Sequence, residues 1–100
     1  MYSYRHEPQR ASDQDRKHGR RLGRLIADRR EQTRRSAPEL AQEASVAIDT
    51  IRRLEIGRVP TPAFLTVARL AEVLRLSLDD LHAQASRDGG DASEADEESS

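Results

Sequence analysis

Apart from Met1, Tyr2 and Tyr4, every large apolar residue of this chain lies between Leu22 and Leu81. Any hydrophobic core must be drawn from that stretch, which is near the lower size at which a core stands unassisted. Within it the apolar positions recur three and four residues apart, the spacing that stacks side chains on one face of a helix. No strand-like alternation appears. The chain is therefore expected to be all-α, a single domain of short helices.

Leu22, Leu25 and Ile26 mark a first helix ending near Glu31. Ser36-Ala37-Pro38-Glu39 signals a second start: Ser36 can cap, Pro38 is tolerated in the first turn, and Glu39 can complete a capping box. That helix runs to about Ala44. Ile48, Ile51 and Leu54 then fall three apart before Gly57, a residue suited to ending a helix. Val59-Pro60-Thr61-Pro62 must be a loop, because its prolines bias their predecessors to extended backbone and lack amide donors. Phe64, Val67, Ala68, Leu70, Ala71 and Leu74 form the most hydrophobic helix, expected to be the centre of the core. Ser77 caps a last helix whose Asp79 and Asp80 suit its positive end and whose Leu78 and Leu81 point inward.

The ends have a different composition. Residues 1–19 hold almost nothing to bury and are expected to form a flexible arm, in which Arg16 and Lys17, continued by Arg20 and Arg21, could follow a nucleic-acid backbone. Residues 86–100 are expected to be a disordered acidic tail, leaving 20–85 as the folded domain. The formal net charge of −1 conceals this polarity: residues 1–35 carry eleven basic and five acidic side chains, residues 86–100 one basic and six acidic. Lys17 is the only lysine; the other cations are arginines, whose forked guanidinium suits phosphates and base edges.

Several function classes are disfavoured. There is no cysteine, which removes disulfides and thiolate metal sites, and His6, His18 and His82 are too scattered in sequence to suggest a ligand set, so no metal or cofactor is expected. No run approaches the roughly 20 apolar residues that span a bilayer, and Met1 to Arg10 lacks a secretory signal, so a cytoplasmic protein is expected. No glycine-rich phosphate loop or convergent nucleophile and base is visible, so the chain is not expected to be an enzyme.

The stretch Glu39 to Arg58 closely resembles the helix-turn-helix of the phage-repressor, or XRE, family, through Leu40-Ala41, Ser45, Val46 and Glu55-Ile56-Gly57. The resemblance extends upstream to Leu22-Gly23 and Arg30, and downstream from Pro62 to Ala71, Leu74 and Ser77-Leu78-Asp79-Asp80-Leu81. It implies a five-helix lambda-repressor-like domain, a bacterial transcriptional regulator that binds double-stranded DNA as a homodimer. It also implies that Arg30 pairs with Glu55. Small residues at Ala41, Ala44 and Ser45 would let the two helices of the motif approach. Val46, Ile51 and Leu54 would then anchor the second of them, residues 47–55, and leave Ile48, Asp49, Arg52 and Arg53 to read bases in the major groove. Arg34, Arg35, Thr50 and Arg58 are the candidates for phosphate contacts.

The chain departs from the family pattern at three places. Ala37 replaces a usual glutamine, Ala47 a usual Ser or Thr cap, and Thr33-Arg34-Arg35 a usual glycine and apolar residue. The competing reading is a protein-binding adaptor such as an antitoxin, whose acidic tail grips a protein partner and for which DNA is secondary. Asp49 on the groove-facing side favours it, since an acid near phosphates costs affinity unless it finds a cytosine.

Overall fold

A computed structural model describes residues 12–87, and these form five helices with no strand among them: α1 Asp13–Gln32, α2 Ala37–Ala44, α3 Ile48–Glu55, α4 Phe64–Leu74 and α5 Leu78–Ser86. The part of the expected arm up to Ala11 and the tail from Asp88 onward lie outside the described residues.

α1 begins nine residues earlier than Leu22, so residues 13–19 are its first two turns and not part of an arm. The cause is capping. The Ser12 hydroxyl accepts from the Asp15 amide at 3.0 Å, and the Asp15 carboxylate accepts from the Ser12 amide. Asp13 and Asp15 at the start and Arg29 and Arg30 at the end complement the helix dipole. This extension is also held from outside: Gly19 is buried, and a Cβ there would lie 2.7 Å from the Val59 carbonyl oxygen of the loop. At the other end of the chain α5 includes Ser86, one residue past the expected boundary.

α2 starts on the expected capping box, with Ser36 Oγ accepting from the Glu39 amide at 3.1 Å and Glu39 accepting from the Ser36 amide at 2.8 Å. These bonds hold the Glu39 carboxyl below its usual range. α3 and α4 begin on Ala47 and Ala63, neither of which supplies a side-chain cap.

Four helices end in the same way. Arg34, Ser45, Gly57 and Arg75 take left-handed φ values of 60°, 56°, 79° and 60°. In each case the next amide reaches back to close the turn, as in Arg35 to the Arg30 carbonyl and Val46 to the Ala41 carbonyl. Only the third of these positions is glycine, and space explains the choice: a Cβ on Gly57 would lie 2.7 Å from Arg20 Cγ. Arg34, within the Thr33-Arg34-Arg35 stretch that departs from the resembled family, accepts left-handed backbone strain there.

The core is one cluster. Ile26, Leu40, Ile51, Leu54, Leu70 and Leu74 are fully buried, joined by Leu22, Leu81 and Ala85. Each large side chain contributes about 1.5–3 kcal/mol by leaving water. Phe64 was expected in this core but is 73% exposed. It is the first residue of α4, and side chains on a helix tilt toward its N-terminus, so Phe64 projects past the layer formed by Leu70 and Leu74.

Arginines tie the helices together at their ends. Arg29 donates to the Leu74 carbonyl at 2.9 Å and Arg21 to the Ala85 carbonyl at 2.9 Å, satisfying acceptors that α4 and α5 leave open. The histidines, scattered in sequence, are partly gathered by the fold: His18 of α1 and His82 of α5 lie with ring centroids 5.6 Å apart. His18 Nε2 is buried without a hydrogen-bond partner. Burial, then the neighbouring His82 and Arg21, push the His18 pKa down, against a smaller opposing effect of Asp15; Asp79 faces the same cleft from α5.

An unfolded histidine protonates near pH 6.5. Below that value the unfolded chain takes up a proton that the folded chain accepts only at lower pH, so stability held above about 6.5 is lost on acidification. The melting temperature is expected to fall between pH 7.5 and 5.5, and His18→Leu should flatten that fall. An equally steep fall in the variant would place the effect elsewhere.

Candidate nucleic-acid interface

The turn between α2 and α3 is built from small residues. Ala41 and Ala44 are buried where the two helices meet, and Ser45 takes the left-handed conformation that reverses the chain. α3 is then fixed on three sides. Ile51 and Leu54 enter the core, and Glu55 is gripped by Arg30 through two bonds, Nε to Oε2 at 2.8 Å and Nη2 to Oε1 at 2.9 Å. Arg30 also donates to the Arg35 carbonyl at 3.0 Å. The pair is mostly buried, with 16% and 12% of the two side chains exposed, and its hydrogen bonds raise the Arg30 pKa above its already high value.

On the other side α3 meets α1 at a glycine. A Cβ on Gly23 would fall inside the contact distance of the Leu54 carbonyl oxygen and 3.3 Å from Glu55 Cα. The backbone of α3 therefore rests almost directly on that of α1. A helix held by Gly23, Arg30, Ile51 and Leu54 has one face left to present.

That face carries Asp49, Arg52 and Arg53, all exposed. Arg53 Nε lies 3.9 Å from the Asp49 carboxylate, one turn away on the same side, with both side chains largely in solvent. The acid that counts against phosphate binding therefore has a cation beside it. Ile48, the fourth base-reading candidate, is only half-buried and packs partly against the core, so less of it is available than of the other three. Thr50 is half-buried on the flank of α3.

The phosphate candidates separate. Arg34 and Arg58 are exposed at the corners after α1 and α3, and while their backbone amides close the turns, their guanidinium groups have no hydrogen bond or ion pair among the described residues. Arg35 is different, because its Nε donates to Glu43 Oε1 at 2.8 Å with the side chain 28% exposed. Much of its charge is already answered. Of the residues expected in a basic arm, Arg16 pairs with Asp13 at 3.1 Å and Arg21 binds the Ala85 carbonyl, both as parts of α1.

The arrangement is two helices joined by a tight left-handed turn, with the second one buttressed from behind and charged in front. A family model described as a helix-turn-helix domain matches residues 21–84, most of the chain. The chain belongs to the helix-turn-helix domain family. No curated protein matches it. The family assignment makes it a DNA-binding module, and α2 and α3 both lie within the matched range. The matched range begins at Arg21, so the first two turns of α1 lie N-terminal to it. Among the described residues no helix is long and apolar enough to cross a membrane, and no group of three or more His, Cys, Asp or Glu is arranged to hold a metal ion.

Sequence reasoning missed that extension, along with the histidine pair. Ser12 followed by Asp15 was the available signal, a capping box with an acid at its third position. Nothing local to His18 or His82 announces their contact, which depends on how α5 folds back on α1.

Proposed function

We propose that this helix-turn-helix domain is a sequence-specific transcriptional regulator of the phage-repressor type that acts by binding and not by catalysis. It lays α3 in the major groove of duplex DNA as one half of a homodimer, in the cytoplasm. The observation that carries the reading is the division of α3: Ile51, Leu54 and Glu55 are committed to the fold, while Asp49, Arg52 and Arg53 face outward. A helix so fixed presents its polar side chains at defined positions, which base readout requires. Arg53, steadied by Asp49, is the leading guanine reader, with Arg52 beside it. Arg34 and Arg58 flank the groove as phosphate contacts, with Thr50 in support and Arg35 secondary because Glu43 already holds it.

The adaptor reading drew its support from Asp49. With Arg53 beside it, Asp49 has a role within the recognition face, and that support weakens. The dimer draws support from Phe64 and Leu65, 73% and 57% exposed at the start of α4, which with Ile56 at 66% are the large apolar side chains left exposed among the described residues.

Fluorescence anisotropy with duplexes from a selected pool tests the reading. Arg53→Ala should lower affinity for the selected site by about tenfold to a hundredfold, with preference relaxed at one base pair and nonspecific binding little changed. Arg58→Ala should weaken specific and nonspecific binding alike and reduce the log-log salt slope by about one. If neither Arg52→Ala nor Arg53→Ala alters discrimination between selected and scrambled duplexes, α3 is not the reader.

A further inference from the structure

A second concentration of positive charge lies along α1 and the end of α5. Lys17, Arg20, Arg21 and Arg24 of α1, with Arg87 at the end of α5, line a cleft of about 410 Å³ between the two helices, and Asp28 is the only acid on its wall. Arg21 is already engaged, with a bond to the Ala85 carbonyl among its interactions, so the charge left to be answered is that of Lys17, Arg20, Arg24 and Arg87. Arg20 and Arg24 stand four apart on one helix, a spacing at which like charges repel and destabilise the helix. Such a cluster calls for an anion.

We propose that this cleft is the docking site of the chain's own acidic C-terminal segment, residues 88–100. Charge complementarity is the first argument. That segment carries Asp88, Asp91, Glu94, Asp96, Glu97 and Glu98 and no basic residue. Position is the second. The described chain leaves α5 at Arg87, in extended backbone, and Arg87 itself lines the cleft, so the segment starts at the site it would fill. Gly89-Gly90 follow at once, the residue type that lets a chain turn sharply back. Reach is the third. Lys17 and Arg24 are separated by about 10 Å along α1 at 1.5 Å per residue, whereas the residues beyond Gly90 can extend about 30 Å.

Docked there, the segment neutralises the basic flank of the domain without touching Asp49, Arg52 or Arg53. This part of the inference rests on the DNA-binding reading: the segment would suppress nonspecific attraction to duplex DNA and leave base preference unchanged.

The test of docking needs no DNA. The chain has no cysteine, so Ser93→Cys gives the whole 100-residue chain a single nitroxide label. At 50 mM salt the amide signals of residues 17, 20 and 24 should lose more than half their intensity by paramagnetic relaxation, and at 500 mM they should recover. Lys17→Glu with Arg24→Glu should abolish the effect, with circular dichroism checking the helices. Broadening centred on residues 49–58 would overturn the proposal by putting the segment on the recognition face, and no salt-dependent broadening would overturn it outright. Mixing a spin-labelled unlabelled-isotope chain with a ¹⁵N chain lacking the spin label addresses the remaining occupant: broadening at residues 17–24 in that mixture would show the segment docking on a second copy, against the proposal. Removal of residues 88–100 should then raise affinity for a random duplex severalfold at low salt. If the relaxation result holds and no duplex binds at all, the docking site stands and the DNA-binding reading fails.

Discussion

Gly23→Ala is expected to lower the melting temperature of the domain by 10 °C or more, although alanine is the better helix former. Two effects oppose each other. In an exposed helix interior the substitution would add about 1 kcal/mol of stability through intrinsic propensity. Here the new Cβ would overlap the Leu54 carbonyl oxygen and crowd Glu55 Cα at 3.3 Å. These are backbone atoms of α3 and cannot swing aside as a flexible side chain can. The helix must move as a body, carrying Ile51 and Leu54, both fully buried, out of register with the core. Overpacking commonly costs about 1–3 kcal/mol, and a backbone clash belongs at or above the top of that range. For a domain this small each kcal/mol is worth about 4–8 °C, so the net loss after the propensity gain remains large. Gly19→Ala provides the graded comparison: its Cβ would meet the Val59–Pro60 loop, at 2.7 Å from the carbonyl oxygen, and a loop yields more readily than a packed helix. A thermal melt followed at 222 nm decides the matter. A Gly23→Ala midpoint within 2 or 3 °C of the parent would mean that α1 and α3 are not in the close contact described.

The same residues show what could be read before the fold was known. Spacing located α2, α3 and α4, because their apolar residues recur helically and their limits carry local signals, Ser36 through Glu39, Gly57 and the Pro60 and Pro62 loop. The start of α1 escaped because its first two turns present almost nothing apolar; Ser12, Asp13 and Asp15 form it by capping and charge, and Gly19 anchors it by having no side chain. Phe64 fits the period of α4 but stands at its end, where no layer is left to receive it. Arginines were the least legible from composition, although the family resemblance paired Arg30 with Glu55 as the fold does. Composition treats Arg21, Arg29, Arg30, Arg35 and Arg53 alike, yet in the fold the first two bind carbonyls, the next two hold carboxylates at short range, and the last faces out with both it and its partner largely in solvent. What an arginine does depends on which acceptor tertiary packing brings within about 3 Å, and that distance has no trace in local sequence.

The Arg30 and Glu55 pair should give the second large effect, and one that separates folding from reading. Arg30→Ala removes three donated bonds at once, two to Glu55 and one to the Arg35 carbonyl, and leaves a mostly buried carboxylate without its counterion. Breaking a buried pair from one side costs roughly 3–5 kcal/mol. Since both groups keep a little exposure, about 3 kcal/mol is expected. Glu55→Gln should cost less, because an amide can still accept from one guanidinium nitrogen and no carboxylate is stranded. Arg30→Met combined with Glu55→Met is the informative variant: apolar replacements of similar length leave no unpaired charge, so stability should return to within about 1 kcal/mol of the parent. DNA binding should not return with it. The pair fixes the end of α3 against α1, and without its two-point geometry Arg52 and Arg53 lose their defined position, so the double variant should fold normally yet discriminate poorly between the selected duplex and a scrambled one. Urea unfolding and anisotropy on the same samples provide both readings. Full discrimination in the stable double variant would show that Gly23, Ile51 and Leu54 hold the recognition helix in place by themselves, and would confine Arg30 and Glu55 to a role in stability.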